Sequence, residues 1–588
     1  MKNKILNLQH NKLFLFVLLF LIALFYFHYA FHLSILNPEN INWLFKNSDP
    51  FQHYLAWDYF RKEEWHFPPG LIYNFNLAQP LSIGITDALP LLAFLFKPFD
   101  SFLPETFQYF GFYIFINVFL QLYFGFLLGK LITNNFILQL LVAVFLMLFP
   151  PFLYRLYYHA ALASHWLLLA AIFIYQKPYS FKNWFILTAL SAFIHPYLMT
   201  MLFVLMFFNL FSNGKFHIQT RFVHFLICAV FSLFISYCVG QFVNGGASVY
   251  AGGFGYYSVN LLSFLDSNWF GQHSFSIPFS IDEVQHNDGT QYLGLGILFL
   301  MPIVFYCFLR NCFIFKFSKF FNLNLNLNHP PAPIFNSQNK FLFTAAFLMA
   351  LFALATPIYF FQTPLMHLDF FYNLPIIFEF SHMFRASGRF AWILFYLLTL
   401  FILGYTIRTF KTKTSIFILF VALVIQILDL NIKHKTICTM HQTASPNAWA
   451  PFPFKEWQQY ATPPFHAHLI LITQHTAHQE LGKYIANWPE YFRFALNPAY
   501  FAQKNNMPMN YNFSRTDLDL ANQFMFDHLE RLKKGNPAPN TLYIFLPDYS
   551  PTDLKNILPE SIYQQLLFQN HYALLPIQSK TNKIHGQL

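Results

Sequence analysis

The chain has 588 residues, of which 56% are hydrophobic, 21% aromatic and only 10% charged, with a mean hydropathy of +0.40. Soluble domains carry about 25% charged residues, so this composition excludes an ordinary soluble enzyme and indicates a polytopic membrane protein. The formal net charge of +10 comes from Lys and Arg scattered between apolar runs, which fits basic cytoplasmic loops and argues against nucleic acid as a partner.

The run 13–33 supplies roughly the 20 apolar residues that span a bilayer. Lys2, Lys4 and Lys12 ahead of it place the N-terminus in the cytoplasm. Tyr26, Phe27, His28, Tyr29 and Phe31 fill its end, where a cleavable signal needs small residues, so it reads as an uncleaved first helix. Further apolar runs at 108–129, 136–153, 160–175, 183–211, 222–241, 291–309, 341–361, 388–407 and 414–432 predict more helices. One crossing per run would leave Arg221, Arg310 and Lys319 outside, against the positive-inside rule. Splitting the run 183–211 at His195-Pro196 into two short helices adds the missing crossing, for about eleven in all. The segments 36–107, 242–290 and 362–387 then face outward, as does the tail.

From about 433 the apolar runs shorten to strand-like pieces at 468–473, 541–546 and 572–575, with a helical stretch at 517–534. The predicted fold is therefore a mainly α-helical polytopic membrane domain over 1–432 and a soluble extracytoplasmic α/β domain over 433–588. The polar, Pro-terminated stretch 322–331 reads as a linker. Cys228, Cys238, Cys307, Cys312 and Cys438 lack CxxC spacing, so neither a disulfide framework nor a zinc site is expected.

The polar residues of the outward loops are the candidates for chemistry. Pro50 suits the first position of a helix, with Asp49 before it as an N-cap. Asp49 and His53 are four apart on one face and read as the catalytic pair, a general base or, for Asp49, a ligand to a divalent cation such as magnesium or manganese. Asp58 has Arg61 and Lys62 three and four residues on and is neutralised locally. Asp87 either contacts substrate or, the favoured reading, caps the helix that runs to Phe96.

His159, His165 and His195 lie at or near helix ends and read as mainly structural, with Arg155 and His159 as secondary candidates for phosphate contacts. The segment 244–258 is glycine-rich without the lysine of a nucleotide loop; it is either a flexible interfacial loop or a place where Tyr257 and bare backbone approach a sugar ring. Arg385 and Arg389, four apart at the head of an apolar helix and on the side the positive-inside rule disfavours, form either a fork for a phosphate head group or a pair of snorkelling anchors.

In order along the chain, Ser48-Asp-Pro50, Trp57, Phe60-Arg61, Trp65, Thr86-Asp-Ala-Leu-Pro90, His159, His165-Trp166, His195-Pro-Tyr197, Gly252-Gly-Phe-Gly-Tyr-Tyr-Ser258, Tyr292-Leu-Gly-Leu-Gly296 and Phe384-Arg-Ala-Ser-Gly-Arg389 resemble a family of uncharacterised bacterial multi-pass membrane proteins. The likeness extends into the tail around 510–515. That family in turn looks like the GT-C superfamily of membrane glycosyltransferases. The resemblance implies catalytic acids in the large first outward loop, a polyprenyl-phosphate sugar donor, a glycan, lipid or protein acceptor, and a place among the lipids of the bacterial cytoplasmic membrane. The spacing departs from the superfamily in one respect: Asp49 is followed by Pro50, and the next aspartate is Asp58. Two other functions fit the same sequence, namely a transporter or flippase of an anionic glycolipid and a noncatalytic envelope assembly scaffold.

Overall fold

The structure is a computed structural model, and it describes residues 12–46, 48–212, 216–243, 253–267, 285, 287–320, 339–445, 452–461, 468–474, 488–511 and 518–577. The linker 322–331, most of the glycine-rich stretch 244–252 and the tail motif beyond Tyr511 lie outside those residues. The fold is mostly helical. Among the described residues, Lys12–Phe31, Phe110–Ile132, Ile218–Cys238, Ser387–Thr409 and Thr412–Thr443 are helices long and apolar enough to cross a membrane.

A sixth candidate is broken: Phe136–Met147 and Pro150–Tyr158 meet at a 50° bend. The run 136–153, expected as one helix, is divided by Pro150-Pro151, because proline disfavours helical backbone in the residue before it and Phe149 is extended at φ −67°, ψ 117°. The same chemistry divides the run 183–211 as expected. Phe181–Ile194 ends and Pro196–Asn209 begins at His195, which is extended at φ −163°, ψ 134° and accepts the Tyr197 N–H on its imidazole at 3.2 Å. These two helices, with Trp166–Tyr175, Leu295–Arg310 and Asn339–Ala353, are shorter apolar helices.

By internal contacts the chain forms two units. One comprises 1–37, 109–233 and 254–439, and the other 38–108, 234–253 and 440–588. The loop 38–108, assigned from sequence to the membrane domain, thus groups with the tail.

In the helical unit, Phe110–Ile132 is apolar all round except for three buried polar side chains that hold its neighbours. Tyr113 shares a 2.7 Å hydrogen bond with Ser164, Asn117 donates to Ala160 O at 3.1 Å and accepts from Trp166 Nε1 at 3.0 Å, and Gln121 donates to Leu146 O at 3.0 Å and Tyr396 Oη at 2.8 Å. His165 joins them through Tyr396 at 2.9 Å and packs 4.1 Å from the Trp392 ring, the structural role expected of it.

In the other unit, His468–Ile472 pairs in parallel with Thr541–Phe545, which pairs antiparallel with Tyr572–Ile577; Leu567–Gln569 completes the sheet as a hairpin. The strands His468–Ile472, Thr541–Phe545 and Tyr572–Ile577 fall on the strand-like pieces expected from the sequence. Ile470, Ile472, Tyr543, Phe545 and Leu575 from the sheet close a core against Met525, Leu529 and Leu532 of the helix Leu518–Lys533. The first loop is stitched into this unit. Leu77 N–H donates to Met509 O at 2.9 Å, Met509 N–H to Asn74 O at 2.9 Å and Tyr511 N–H to Phe75 O at 3.1 Å, while Tyr59, Phe75 and Tyr511 stack at 4.8 and 5.0 Å.

Candidate functional site

In the unit built around the sheet, the helix Ser48–Lys62 begins one residue before Asp49. Asp49 therefore lies in the first turn and is not the residue ahead of it, so the N-cap expected of Asp49 is not the arrangement found. A carboxylate in a first turn is still favoured by the unpaired N–H groups there, and Pro50 is tolerated because its missing donor is one of them. One turn on, His53 is buried. A ring nitrogen of His53 lies within 4.8 Å of a carboxylate oxygen of Asp87.

Asp87 does not cap the helix Pro90–Phe96. The cap is Leu89, in left-handed backbone at φ 58° and without a side-chain hydrogen bond. Asp87 is itself left-handed at φ 53°. Left-handed backbone at residues with a Cβ costs about 1–2 kcal/mol each. Such strain persists only where the surroundings impose it, and it clusters at functional positions. Within this unit the imidazole and carboxylate lie close enough to offer two donors, N and O, to a single cation. The cation site expected at Asp49 is thus more completely furnished by His53 and Asp87.

Asp58 is fully buried and takes no part in this group. Lys62 Nζ lies 2.8 Å and Arg61 Nη1 4.0 Å from its carboxylate, and Gln503 donates to it. Arg61 turns also to Asp100 and to Pro104 O at 2.8 Å. Nearby, burial raises the Glu63 carboxyl above its ordinary value, against the opposing hydrogen bonds from Tyr73 and Asn74 N–H. Burial likewise lowers the Lys97 ammonium, held 4.0 Å over the Phe60 ring and 4.4 Å over Trp65, to about 8.

In the helical unit, the arginines singled out from sequence are found around an aspartate that was not. Arg155 Nη1 donates to Asp288 Oδ1 at 3.0 Å and its Nη2 to Asp288 O at 3.3 Å. Arg389 Nη2 donates to Asp288 Oδ2 at 2.7 Å. All three side chains are buried: Arg155 is 1% exposed, Asp288 7% and Arg389 9%. Two guanidiniums share one carboxylate. Aromatic faces hold the group: Arg155 lies 4.7 Å from the Tyr154 ring and 5.6 Å from Trp392, and Arg389 lies 4.5 Å from Tyr197.

The fork expected from one helix face is not formed. Arg385 lies in a non-helical connection after Pro375–Met383, and Arg389 in the 3₁₀ turn Ser387–Ala391, so the i, i+4 relation does not apply. The connection is fixed by backbone contacts. Ala386 N–H donates to Tyr197 Oη at 2.9 Å, Gly388 N–H to Tyr257 O at 3.0 Å, and Gln291 Nε2 to Gly388 O at 2.9 Å. Arg385, half-buried, places its guanidinium 5.4 Å from the Tyr257 ring. Tyr257 thus meets an arginine from the turn that was proposed to read phosphate. His159 ends the helix Pro150–Tyr158, where its N–H donates to Arg155 O at 2.8 Å.

Asp288, Tyr197 and Trp392 were missed because nothing local marks them. The one available signal was charge balance: Arg155 and Arg389 lack a nearby acid in sequence, and a buried cation needs one.

No curated protein matches the chain. Residues 20–431 match a family described as a domain of unknown function, DUF6311, and with more than two thirds of its 588 residues inside that match the chain belongs to this family.

Proposed function

We propose that the protein is a glycosyltransferase of the bacterial cytoplasmic membrane that moves a sugar from a polyprenyl-phosphate donor to an extracytoplasmic acceptor. On this reading the N-terminus is cytoplasmic, the chain makes about eleven crossings, and the unit holding the sheet is an α/β domain on the outer side. The observation that carries the reading is the approach of His53 and Asp87 to within 4.8 Å on backbone strained at Asp87 and Leu89. Nucleotide sugars belong to the cytoplasm, so an outward transferase requires a lipid-linked donor.

The acceptor hydroxyl oxygen attacks the anomeric carbon, the bond from that carbon to the phosphate oxygen breaks, and the polyprenyl phosphate leaves. His53 takes the hydroxyl proton, and Asp87 holds the imidazole in orientation and stabilises the imidazolium. Asp49, in the first turn of the same helix, adds negative charge one turn away. Where a divalent cation is used, His53 and Asp87 would hold it in place of that proton transfer, and it would acidify the acceptor hydroxyl. In the helical unit, Arg385 is the candidate contact for a lipid-linked phosphate. Direct displacement inverts the anomeric centre. The test is incubation of the purified chain with a radiolabelled polyprenyl-phosphate sugar and candidate acceptors; label that never leaves the lipid would refute the transferase.

One observation favours the transporter. The helical unit contains a buried Arg155–Asp288–Arg389 group, and charged groups buried among apolar helices often line the path of an ion or anionic substrate. Movement of labelled glycolipid across a vesicle bilayer without bond formation would select that function.

A further inference from the structure

The unit built around the sheet contains a solvent-open cleft of about 740 Å³ that the chemistry above does not use. Its floor and one wall are aromatic. Phe454 and Tyr500 lie 5.8 Å apart, edge to face, both half-buried, over a fully buried layer of Phe452 and Phe501. Around these rings stand Lys455, Lys504, Gln458 and Asn505.

The polar rim is pre-set. Gln458 Nε2 donates to Asn505 Oδ1 at 2.6 Å, and Asn505 Nδ2 donates to Phe501 O at 2.8 Å, so both amides are fixed in plane and orientation. Lys504 Nζ lies 5.7 Å from the Tyr500 ring centroid, which keeps an ammonium beside the aromatic face. Across the cleft, Asn570 occupies a two-residue hairpin turn with His571, at φ 49° and 69°. That pair of left-handed residues is the turn that joins adjacent strands most tightly, so Asn570 is placed rigidly as well.

A ligand matched to this cleft needs a flat apolar face, several hydroxyls along its edge and negative charge. The ligand's apolar face rests on one ring of the edge-to-face pair Phe454 and Tyr500, the hydroxyls meet the planar amides, and the charge meets Lys455 and Lys504, with Glu456 the lone acid among the described lining residues. A lipid tail fits poorly with an open rim carrying ammonium groups. A nucleotide would call for a glycine-rich phosphate cradle, and the described lining residues include no glycine.

We propose that this cleft binds an acidic oligosaccharide. That the bound chain is the acceptor rests on the transferase reading; the binding itself does not. The experiment titrates the full-length chain in detergent with tetragalacturonate, without donor, and follows ligand signals by saturation-transfer NMR, with maltotetraose as the neutral counterpart. Saturable tetragalacturonate binding is expected, weakened about tenfold or more by Phe454→Ala and by Lys504→Ala. Maltotetraose should bind more weakly than tetragalacturonate. Lys504 is exposed, so Lys504→Ala carries the test if Phe454→Ala lowers the unfolding temperature. No saturable binding, or binding unchanged by Lys504→Ala, overturns the site. Equal affinity for maltotetraose overturns its acidic specificity. Because no sugar is transferred in this assay, its failure and the failure of the transferase are separate results.

Discussion

Arg389 and Asp288, 101 residues apart in sequence, meet in a 2.7 Å ion pair that also contains Arg155. The arginines of the Phe384–Arg389 motif therefore differ in kind. Removing Asp288 leaves two buried guanidiniums without their shared counter-charge, which typically costs about 3–5 kcal/mol. Asp288→Asn and Arg389→Ala should both lower the unfolding temperature of the detergent-solubilised protein. Arg385→Ala should weaken use of the polyprenyl-phosphate donor while the protein still accumulates in the membrane. A cold-stable, fully active Asp288→Asn protein would remove the ion pair from any structural role.

The pair His53 and Asp87 predicts a second pattern. His53→Ala and Asp87→Asn should each accumulate in the membrane and lose transfer by roughly 10²-fold or more, the scale of general acid–base catalysis. Asp49→Asn should also lose turnover, since it removes charge from the first turn beside His53. Asp58→Asn should instead destabilise by roughly 1–3 kcal/mol, because its carboxylate is fully buried and engaged by Lys62 and Gln503. Near-normal transfer by both Asp87→Asn and His53→Ala would end the catalytic assignment.

Gly388 offers a test that leaves every charge in place. A methyl group there would sit 2.8 Å from both the Gly289 Cα and Tyr257 O, closer than backbone tolerates. Gly388→Ala should push the turn that carries Arg385 and Arg389 away from Asp288, costing about 1–3 kcal/mol. The unfolding temperature measures it, and an unchanged value would mean that the turn is free to shift.

Lys97 gives a pH dependence. Burial lowers its ammonium from the ordinary 10.5 to about 8. Between those values the unfolded chain binds the proton that the folded chain has released, so this group makes stability rise with pH across that window. Below about 8 both states are protonated and the full desolvation cost is present. Lys97→Met should therefore lack this component. The difference in unfolding temperature between the two proteins, followed from pH 7 to pH 10, should narrow as pH rises if the neutral variant is the more stable at pH 7. A difference independent of pH would place Lys97 in water.

The topology is open to a direct experiment. A reporter enzyme that works only outside the cytoplasm, fused after Leu588, should be active, and one fused within the basic connection at Arg310 should not. Activity at Arg310 alone would invert the chain and place the His53–Asp87 pair in the cytoplasm.

Much of the fold was legible because it depends on local chemistry. Apolar runs of sufficient length are helices, Pro196 breaks its helix at His195, and the short apolar runs at 468–472 and 541–545 are adjacent parallel strands. Pro150-Pro151 carried the same signal as His195-Pro196 and marks a 50° bend. The site was harder to read because its contacts are long-range. Asp288 lies 133 residues from Arg155, and Asp87 follows His53 by a loop whose path is set by backbone bonds to residues near 510. Helical periodicity paired Arg385 with Arg389, but Arg385 lies in the connection ahead of the 3₁₀ turn Ser387–Ala391 that holds Arg389.

The stitching of residues 73–77 to 507–511 has a consequence for how the chain must be made. Tyr59, Phe75 and Tyr511 form one aromatic stack, and Met507 O accepts the Tyr59 hydroxyl proton at 2.9 Å, so the early loop is finished by residues translated more than 400 positions later. Loop-closure entropy grows only by about 0.6 kcal/mol per doubling of length, so equilibrium tolerates that distance. Biosynthesis is less forgiving, because the early aromatic residues wait uncovered while the intervening helices are inserted. A fragment of residues 440–588 would lack its stacking partners in turn, and would expose Met507, Met509 and Tyr511, each fully covered in the whole chain.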